Sequence, residues 1–295
     1  MQNIRTDLAI EMHEMLMEAA EELSGVTLRQ EDKGNIHISR VKIESLKAQR
    51  QMGKPIGNYI TVEFPDVNIA EGEDYEALCR VVAKEIEALL KLKKKSNVLV
   101  VGLGNRDITP DALGPKVVSR LMVTRHLLTY IPDQIDEGIR PVCAISPGVL
   151  GTTGMETGEV VRGVVDKIRP EAVIVIDALA ARSIDRISTT IQICDTGISP
   201  GAGVGNQRKA LDKSALGVPV IAVGVPTVVD AVTMAQSVFG NDSKTEQINP
   251  DGYAMMVTTR DIDTVIKRAS SLVALAINLA LHPELTKDDI LFLNS

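Results

Sequence analysis

Two short acidic stretches carry the side chains best suited to chemistry in this sequence. Residues 102–115 read GLGNRDITPDALGP and contain Asp107 and Asp111, while Asp177 directly follows the apolar run AVIVI. Each stretch follows a run that is typical of a buried strand, and ligands of parallel sheets bind beyond the carboxyl ends of the strands. A phosphate-binding loop of this kind would also need a lysine. The loop has none, so its carboxylates indicate a different kind of site.

Asp111 and Asp177 together predict a site for proton transfer. Two carboxylates that face one cleft repel each other when both are ionised, so the pKa of one rises and the pair shares a proton. Such a pair can take a proton from water and give one to a leaving amine, as peptide hydrolysis requires. The sequence does not say which one is the base. Two structural alternatives stay open, namely Asp177 as a turn or N-cap acid and Asp111 as a helix cap.

The common nucleotide-binding and zinc-protease motifs do not occur in the sequence. GLGN lacks the third glycine of the dinucleotide-binding fingerprint, and there is no P-loop and no H-E-x-x-H zinc motif. The four histidines are scattered, and the three cysteines lack metal-ligand spacing. These observations predict neither a metal site nor a cofactor, and they predict free thiols in a reducing compartment.

Two glycine-rich stretches are candidates for the borders of the cleft. Residues 146–159 contain Thr152, Thr153 and Glu156 as candidate cleft groups, and residues 197–212 contain Arg208 and Lys209. Both stretches have the same two open interpretations, a loop beside the cleft or an anion-binding nest.

The bulk composition excludes several functional classes. The formal net charge of -7 argues against direct binding to nucleic acid, and an aromatic content of 2% leaves few stacking platforms for bases. We expect no membrane span, because no uninterrupted apolar stretch approaches the roughly 18 residues that a span needs. The N-terminus lacks the apolar core of a secretion signal. A cytoplasmic location is therefore predicted.

The order of strands and helices predicts an α/β fold. Continuous apolar strands that alternate with helices indicate a mostly parallel central sheet with helices on both faces. Strands are predicted at 35–49, 58–64, 97–103, 141–146, 172–179, 189–195 and 218–227. Helices are predicted at 7–24, 73–95, 115–128, 158–168, 228–239 and 261–282. Residues 1–72 form a smaller α+β portion attached to this core.

Four long stretches resemble the germination protease family of spore-forming bacteria: GLGNRDITPDALGP, SPGVLGTTGMETGE, VIDALAARS and ISPGAGVGNQR. The resemblance runs from IRTDLAIE near the start of the chain to INLALH near its end. It implies an endopeptidase that degrades small acid-soluble spore proteins during germination. It also implies a homotetramer, a cytoplasmic location in the forespore and spore core, and a fold similar to the hydrogenase-maturation peptidases.

The resemblance assigns the catalytic pair to Asp111 and Asp177. Three neighbours are candidate supporting residues: Asp107, Asn105 and Glu156. The related maturation peptidases also use a histidine and bind nickel, and no histidine here fills that role. A metal-free mechanism is therefore favoured, with two alternatives: a nickel-dependent maturation peptidase or a non-catalytic binding protein of the same fold.

The resemblance further implies a zymogen that removes its own propeptide. Substrates of the family are cut after an acidic residue, preferably Glu, and before a hydrophobic residue followed by Ala. Residues 6–9 read TDLA, so we expect cleavage between Asp7 and Leu8. The chain then divides into a propeptide, an N-terminal α+β portion and an α/β catalytic core, at 1–7, 8–72 and 73–295.

Specificity for an acidic residue before the cut requires a cation close to the catalytic pair. The sequence offers three candidates: Arg106, Arg182 and Arg208. The hydrophobic residue after the cut requires an apolar subsite.

Overall fold

A mixed sheet of nine strands runs through the part of the chain that the computed structural model describes, residues 6–19, 23–65, 73–136, 138–201, 208–239 and 255–293. The strands are β1 (Val26–Lys33), β2 (Ile36–Ile43), β3 (Gly57–Glu63), β4 (Val98–Gly102), β5 (Val142–Ile145), β6 (Ala172–Ala181), β7 (Thr190–Cys194), β8 (Val220–Asp230) and β9 (Met256–Val257). Their order is β1-β2-β3-β7-β8-β6-β4-β5, and β9 pairs with β8.

The predicted α/β class is confirmed, and the parallel part of the sheet is its centre. Strands β5, β4, β6 and β8 pair in parallel, whereas β7, β3, β2 and β1 extend the same sheet through antiparallel pairings. All five residues of β4 are buried, as are nine of the ten in β6. Continuous apolar strands of this kind need cover on both faces.

Helices supply that cover: α1 (Ala9–Glu18), α2 (Leu46–Met52), α3 (Glu73–Leu90), α4 (Leu113–Val118), α5 (Arg125–Tyr130), α6 (Leu150–Thr153), α7 (Thr157–Ile168), α8 (Lys213–Leu216), α9 (Ala231–Phe239), α10 (Ile262–Leu281) and α11 (Lys287–Leu293). One face of the sheet packs against α3, α4 and α10 in a single large apolar cluster. On the other face, one cluster forms beneath α1 and α2 and a separate one beneath α7. The candidate functional site lies in the gap between these two clusters.

Helix α10 is the described segment that most resembles a membrane span, although charged residues interrupt its apolar sequence. Among the described residues, Ile262–Leu281 is the one helix that is long and apolar enough to do so by length and composition. Of its most apolar window, 78% is buried inside the protein. Its second half, residues 272–281, is buried on every side because the helix packs between α3, α4 and the sheet, as a central core helix does.

The single helix predicted for residues 115–128 is wrong in its middle section. The chain forms α4, leaves the helix after Val118 and begins α5 at Arg125. Between them Leu121 and Met122 are buried, and the backbone N–H of Met122 donates to the side chain of Asn278 on α10. Tertiary contacts with α10 therefore override the local helical pattern.

Candidate functional site

The loop after β4 folds back on itself and fixes Asp111. Leu103 N–H donates to the carbonyl of Ile176 on neighbouring β6 at 2.8 Å, and Gly104 then turns the chain with a φ of +106°. The N–H of Asn105 donates to Asp111 Oδ2 at 2.7 Å. Helix α4 has no side-chain cap, so the interpretation of Asp111 as a helix cap is wrong. Its carboxylate instead closes its own loop.

Asp177 lies within β6 and not at its end, because the strand continues to Ala181. The turn and N-cap interpretations are therefore wrong. The alternation of β6 places Asp177 on the same face as Val175 and Leu179, which belong to the two separate apolar clusters of that face. Asp177 occupies the gap between them and is only 6% exposed. Its Oδ1 accepts the N–H of Ala178 at 3.0 Å.

Asp111 and Asp177 line one cavity of about 370 Å³ at the carboxyl end of the parallel strands, and Asp7 lines it with them. The register explains this proximity, since Gly102 of β4 lies beside Ile176 of β6. Burial raises the pKa of Asp177 well above its usual range, and the charges of Asp111 and then Asp7 raise it further. Asp177 is therefore the member of the pair that holds a proton most tightly.

Asp111 is the member of the pair whose ionised form is better stabilised. It is half-buried, and burial raises its pKa, but the N–H of Asn105 acts in the opposite direction by stabilising the ionised form. The cavity thus holds two carboxyl groups in different environments, and burial favours the protonated form more strongly at Asp177 than at Asp111. Neighbouring carboxyl groups whose pKa values are pushed apart are suited to general acid–base hydrolysis.

The N-terminal segment passes through the same cavity. The N–H of Asp7 donates to the carbonyl of Ala180, and the N–H of Ala180 donates to Asp7 Oδ2, both at 2.9 Å. Leu8 is fully buried in the cluster beneath α1 and α2. Neither Thr6 nor Asp7 caps α1, whose N-cap position is Leu8. The helix-cap interpretation of this segment is therefore wrong.

The supporting candidates occupy different places. Asn105 holds the loop through its backbone, and its side-chain oxygen accepts the N–H of Asp107 at 3.0 Å. Asp107 itself is exposed and does not line the cavity. Glu156 accepts from Arg208 Nη1 at 3.3 Å, and Arg208 lines the cavity. Glu156 therefore touches the site through Arg208.

The three cations proposed from the sequence are poorly placed for an acidic side chain at the position of Asp7. Arg106 is exposed on the loop. Arg182 pairs with Glu18 at 3.4 Å, and Arg208 is already engaged by Glu156. Asp7 instead lines a second cavity, of about 450 Å³, together with half-buried Lys54.

Lys54 and Gln192 are the site residues that sequence reasoning missed. Burial lowers the pKa of Lys54, while the charge of Asp7 attracts its ammonium and acts in the opposite direction. Lys54 sits in an ordinary turn after α2, so the sequence gives no signal for it. Gln192 gives a weak one, as a long polar side chain inside the apolar strand β7, and it contacts the N-terminal segment directly. Within the described part of the chain, His, Cys, Asp and Glu side chains form no group of three or more able to hold a metal ion.

Sequence comparisons give a consistent result over almost the whole chain. A family model described as germination protease matches residues 5–240. The germination protease of Clostridium tetani is 46% identical, covering 98% of this chain and 98% of the relative. That of Caldanaerobacter subterraneus subsp. tengcongensis is 48% identical, covering 97% of each. That of Bacillus cereus strain AH187 is 39% identical, covering 97% of this chain and 96% of the relative.

Among solved structures, the chain is similar to the [NiFe] hydrogenase maturation protease HycI from Thermococcus kodakarensis KOD1. The match has a TM-score of 0.37 and 18% sequence identity, and it covers 65% of this chain and 98% of the other.

Proposed function

Because the chain belongs to the germination protease family, we propose that it starts the degradation of small acid-soluble spore proteins, in the cytoplasm of the forespore and spore core. Family membership makes the chain a peptidase of spore germination. The finer assignment concerns its substrate, cleavage preference and mechanism. We further propose that it works as a homotetramer, and exposed apolar side chains on α11, Leu291, Phe292 and Leu293, suit such an assembly.

Asp111 acts as the base and Asp177 as the acid in the proposed mechanism. Asp111 takes a proton from water as the water oxygen attacks the scissile carbonyl carbon. When the tetrahedral intermediate collapses, the C–N bond breaks and Asp177 gives its proton to the departing amine. Proton exchange with water then returns the pair to its starting state. The observation that carries this proposal is the burial of Asp177 beside Asp111 in one cavity, which keeps a proton on Asp177.

The first substrate of this pair is the chain's own N-terminus. Asp7 lines the cavity that contains Asp111 and Asp177, and the following side chain, Leu8, is fully buried in apolar surroundings. An acidic residue beside the catalytic pair and a buried apolar residue after it match the proposed cleavage preference. We therefore assign self-processing to the Asp7–Leu8 bond.

Mass spectrometry of a matured sample is expected to find a chain that has lost residues 1–7 and begins at Leu8. Dialysis against a chelator before maturation is expected to leave the conversion rate unchanged, because the proposed proton transfers use carboxylates alone. A different new N-terminus would contradict the assigned bond. Loss of conversion after chelation, with recovery on adding nickel, would favour the metal-dependent alternative.

Lys54→Met is expected to slow this self-cleavage about tenfold. Lys54 shares a cavity with Asp7, so we propose that its ammonium recognises the acidic residue before the cut. The charge of Asp7 attracts the ammonium of Lys54, and losing about 1.4 kcal/mol of this attraction in the transition state corresponds to a factor of ten in rate. Conversion is followed by mass spectrometry at several times after purification of the precursor.

Two comparisons separate recognition by Lys54 from a general loss of charge. Lys47→Met removes an exposed lysine from neighbouring α2 and is expected to leave the rate unchanged. In a precursor that carries Asp7→Asn, Lys54→Met should have little additional effect, because the acidic partner is already gone. Equal slowing by Lys54→Met with Asp or Asn at position 7 would contradict the role of Lys54.

A further inference from the structure

The side-chain amide of Gln192 forms hydrogen bonds with the backbone on both sides of the Asp7–Leu8 bond. Its Nε2 donates to the carbonyl oxygen of Asp7 at 2.9 Å, and its Oε1 accepts the N–H of Ala9 at 2.7 Å. The Asp7 carbonyl is the group that water must attack if this bond is cut. Gln192 is only 7% exposed, so water competes little for these hydrogen bonds.

The orientation of this amide is fixed by its partners. A backbone carbonyl only accepts and a backbone N–H only donates, so the amide can satisfy both groups in one orientation. The backbone of Gln192 is held on either side by the sheet, where it pairs with Thr61 of β3 and Gly224 of β8. The donor therefore points at the Asp7 carbonyl before any reaction starts, as a preorganised site requires.

We propose that Gln192 is a catalytic residue of the self-cleavage, whose amide N–H stabilises the negative charge that develops on the Asp7 carbonyl oxygen. This inference rests on the proposed cut between Asp7 and Leu8. Asp111 and Asp177 supply and receive protons but offer this oxygen no fixed N–H donor. The Gln192 amide does, and a hydrogen bond to it strengthens as the carbonyl oxygen becomes an oxyanion.

A neutral donor suits this position better than a cation. Three carboxylates line the adjoining cavity, and the mechanism needs Asp177 to keep its proton. An arginine or lysine at position 192 would favour the ionised form of Asp177 and remove the acid. An amide stabilises the oxyanion without that effect.

The amide also stays in place after the propeptide leaves. Ala9, whose N–H holds Oε1, belongs to the chain that remains after the cut. Nε2 then faces the position that the Asp7 carbonyl has vacated. The same donor is thereby available to the scissile carbonyl of a substrate cut in trans.

The first test is the rate at which purified precursor with Gln192→Leu loses residues 1–7, measured by mass spectrometry. Removing one oxyanion donor costs about 100- to 1,000-fold in turnover, so we expect at least about 100-fold slower conversion. Thr61→Val is the matched control, because Thr61 is the β3 partner of Gln192, is fully buried, and has a hydroxyl with no partner among the described residues. It changes the same strand pair without removing a hydrogen bond to residues 7–9, and its conversion should match the unmodified chain.

A second measurement separates catalysis from simple docking of the segment. The N–H of Ala180 donates to Asp7, so its hydrogen exchange reports whether the segment is docked. It is measured in Asp177→Asn precursors with and without Gln192→Leu, so that no conversion occurs. Slow conversion with the Ala180 amide still protected supports the proposal. Loss of protection would reduce Gln192 to a docking residue, and normal conversion of Gln192→Leu would also overturn the proposal.

Failure of the proposal for Gln192 can be distinguished from failure of the proposed function. If Asp111→Asn and Asp177→Asn stop conversion while Gln192→Leu converts normally, only the role of Gln192 is wrong. If both aspartate variants convert normally, the proposed mechanism itself is wrong. A chain produced without residues 1–7 gives a third readout. In that shortened chain, Gln192→Leu should lower kcat for a spore-protein substrate and change KM little, because the lost interaction forms mainly in the transition state.

Discussion

Asp177→Asn is expected to abolish peptide cleavage and, at neutral pH, to make the folded chain more stable. Asparagine has nearly the shape of aspartic acid but carries no proton that it can give to the departing amine. General acid–base catalysis contributes typically about 100- to 10,000-fold, so cleavage of a spore-protein substrate should fall by at least that range. Self-processing should stop with it, because the proposed mechanism uses the same pair for both reactions.

The gain in stability follows from the raised pKa of Asp177. Its causes are burial first, then the charges of Asp111 and Asp7. The folded chain therefore binds this proton more tightly than the unfolded chain, and its stability falls as pH rises from the ordinary Asp pKa toward the raised one. The slope is up to about 1.4 kcal/mol per pH unit. Asparagine has no such dependence, so the variant's advantage should be absent at strongly acidic pH and grow through this window.

Urea unfolding of both chains at a series of pH values measures this effect directly. Asp107→Asn is the matched control, because Asp107 lies in the neighbouring loop with an exposed side chain. It should retain most of the activity and show no comparable gain. Asp111→Asn should also lose cleavage but gain less stability, since ionised Asp111 is stabilised by the N–H of Asn105. A folded Asp177→Asn chain with near-normal turnover would contradict the paired-acid mechanism.

Most of the parallel sheet could be predicted from the sequence, because its strands are continuous apolar runs between helices. The edge strand β1 could not, since VTLRQEDK is mostly exposed and alternates only over its first four residues. It is held by its antiparallel pairing with β2 along its whole length. The sequence of β1 by itself does not specify which strand it pairs with.

Asp111 and Asp177 could be proposed as a catalytic pair from the sequence, but their geometry could not be predicted. Asp177 resembled a strand-end acid because the apolar run stops there, whereas hydrogen bonding to β8 carries β6 on to Ala181. The pairing of β4 with β6 brings Asp111 close to Asp177. The sequence of neither strand specifies that pairing. Lys54 lies just before β3 and Gln192 lies on β7, and both line a cavity with Asp7. No spacing in the chain links either of them to residue 7.

Gly104→Ala is expected to reduce cleavage at least about 100-fold by displacing Asp111. An added Cβ would lie 2.0 Å from the Asp111 carbonyl oxygen and 3.0 Å from its Oδ1. The first atom is backbone, so the two sides of the loop must separate, and the hydrogen bond from Asn105 to Asp111 cannot persist unchanged. A displacement of about 1 Å at a catalytic group can cost a factor of about 100. Turnover and urea unfolding are measured together.

Gly154→Ala distinguishes this displacement from backbone strain alone. Gly104 and Gly154 both have positive φ, +106° and +70°, but a Cβ at Gly154 would meet no atom within 4 Å. Alanine at either position should cost stability, of the order of 1–3 kcal/mol for the strained backbone. Only Gly104→Ala also moves a catalytic carboxylate, so only that variant should lose turnover while still folded. If the two variants retained equal activity, the position of Asp111 set by this loop would not govern catalysis.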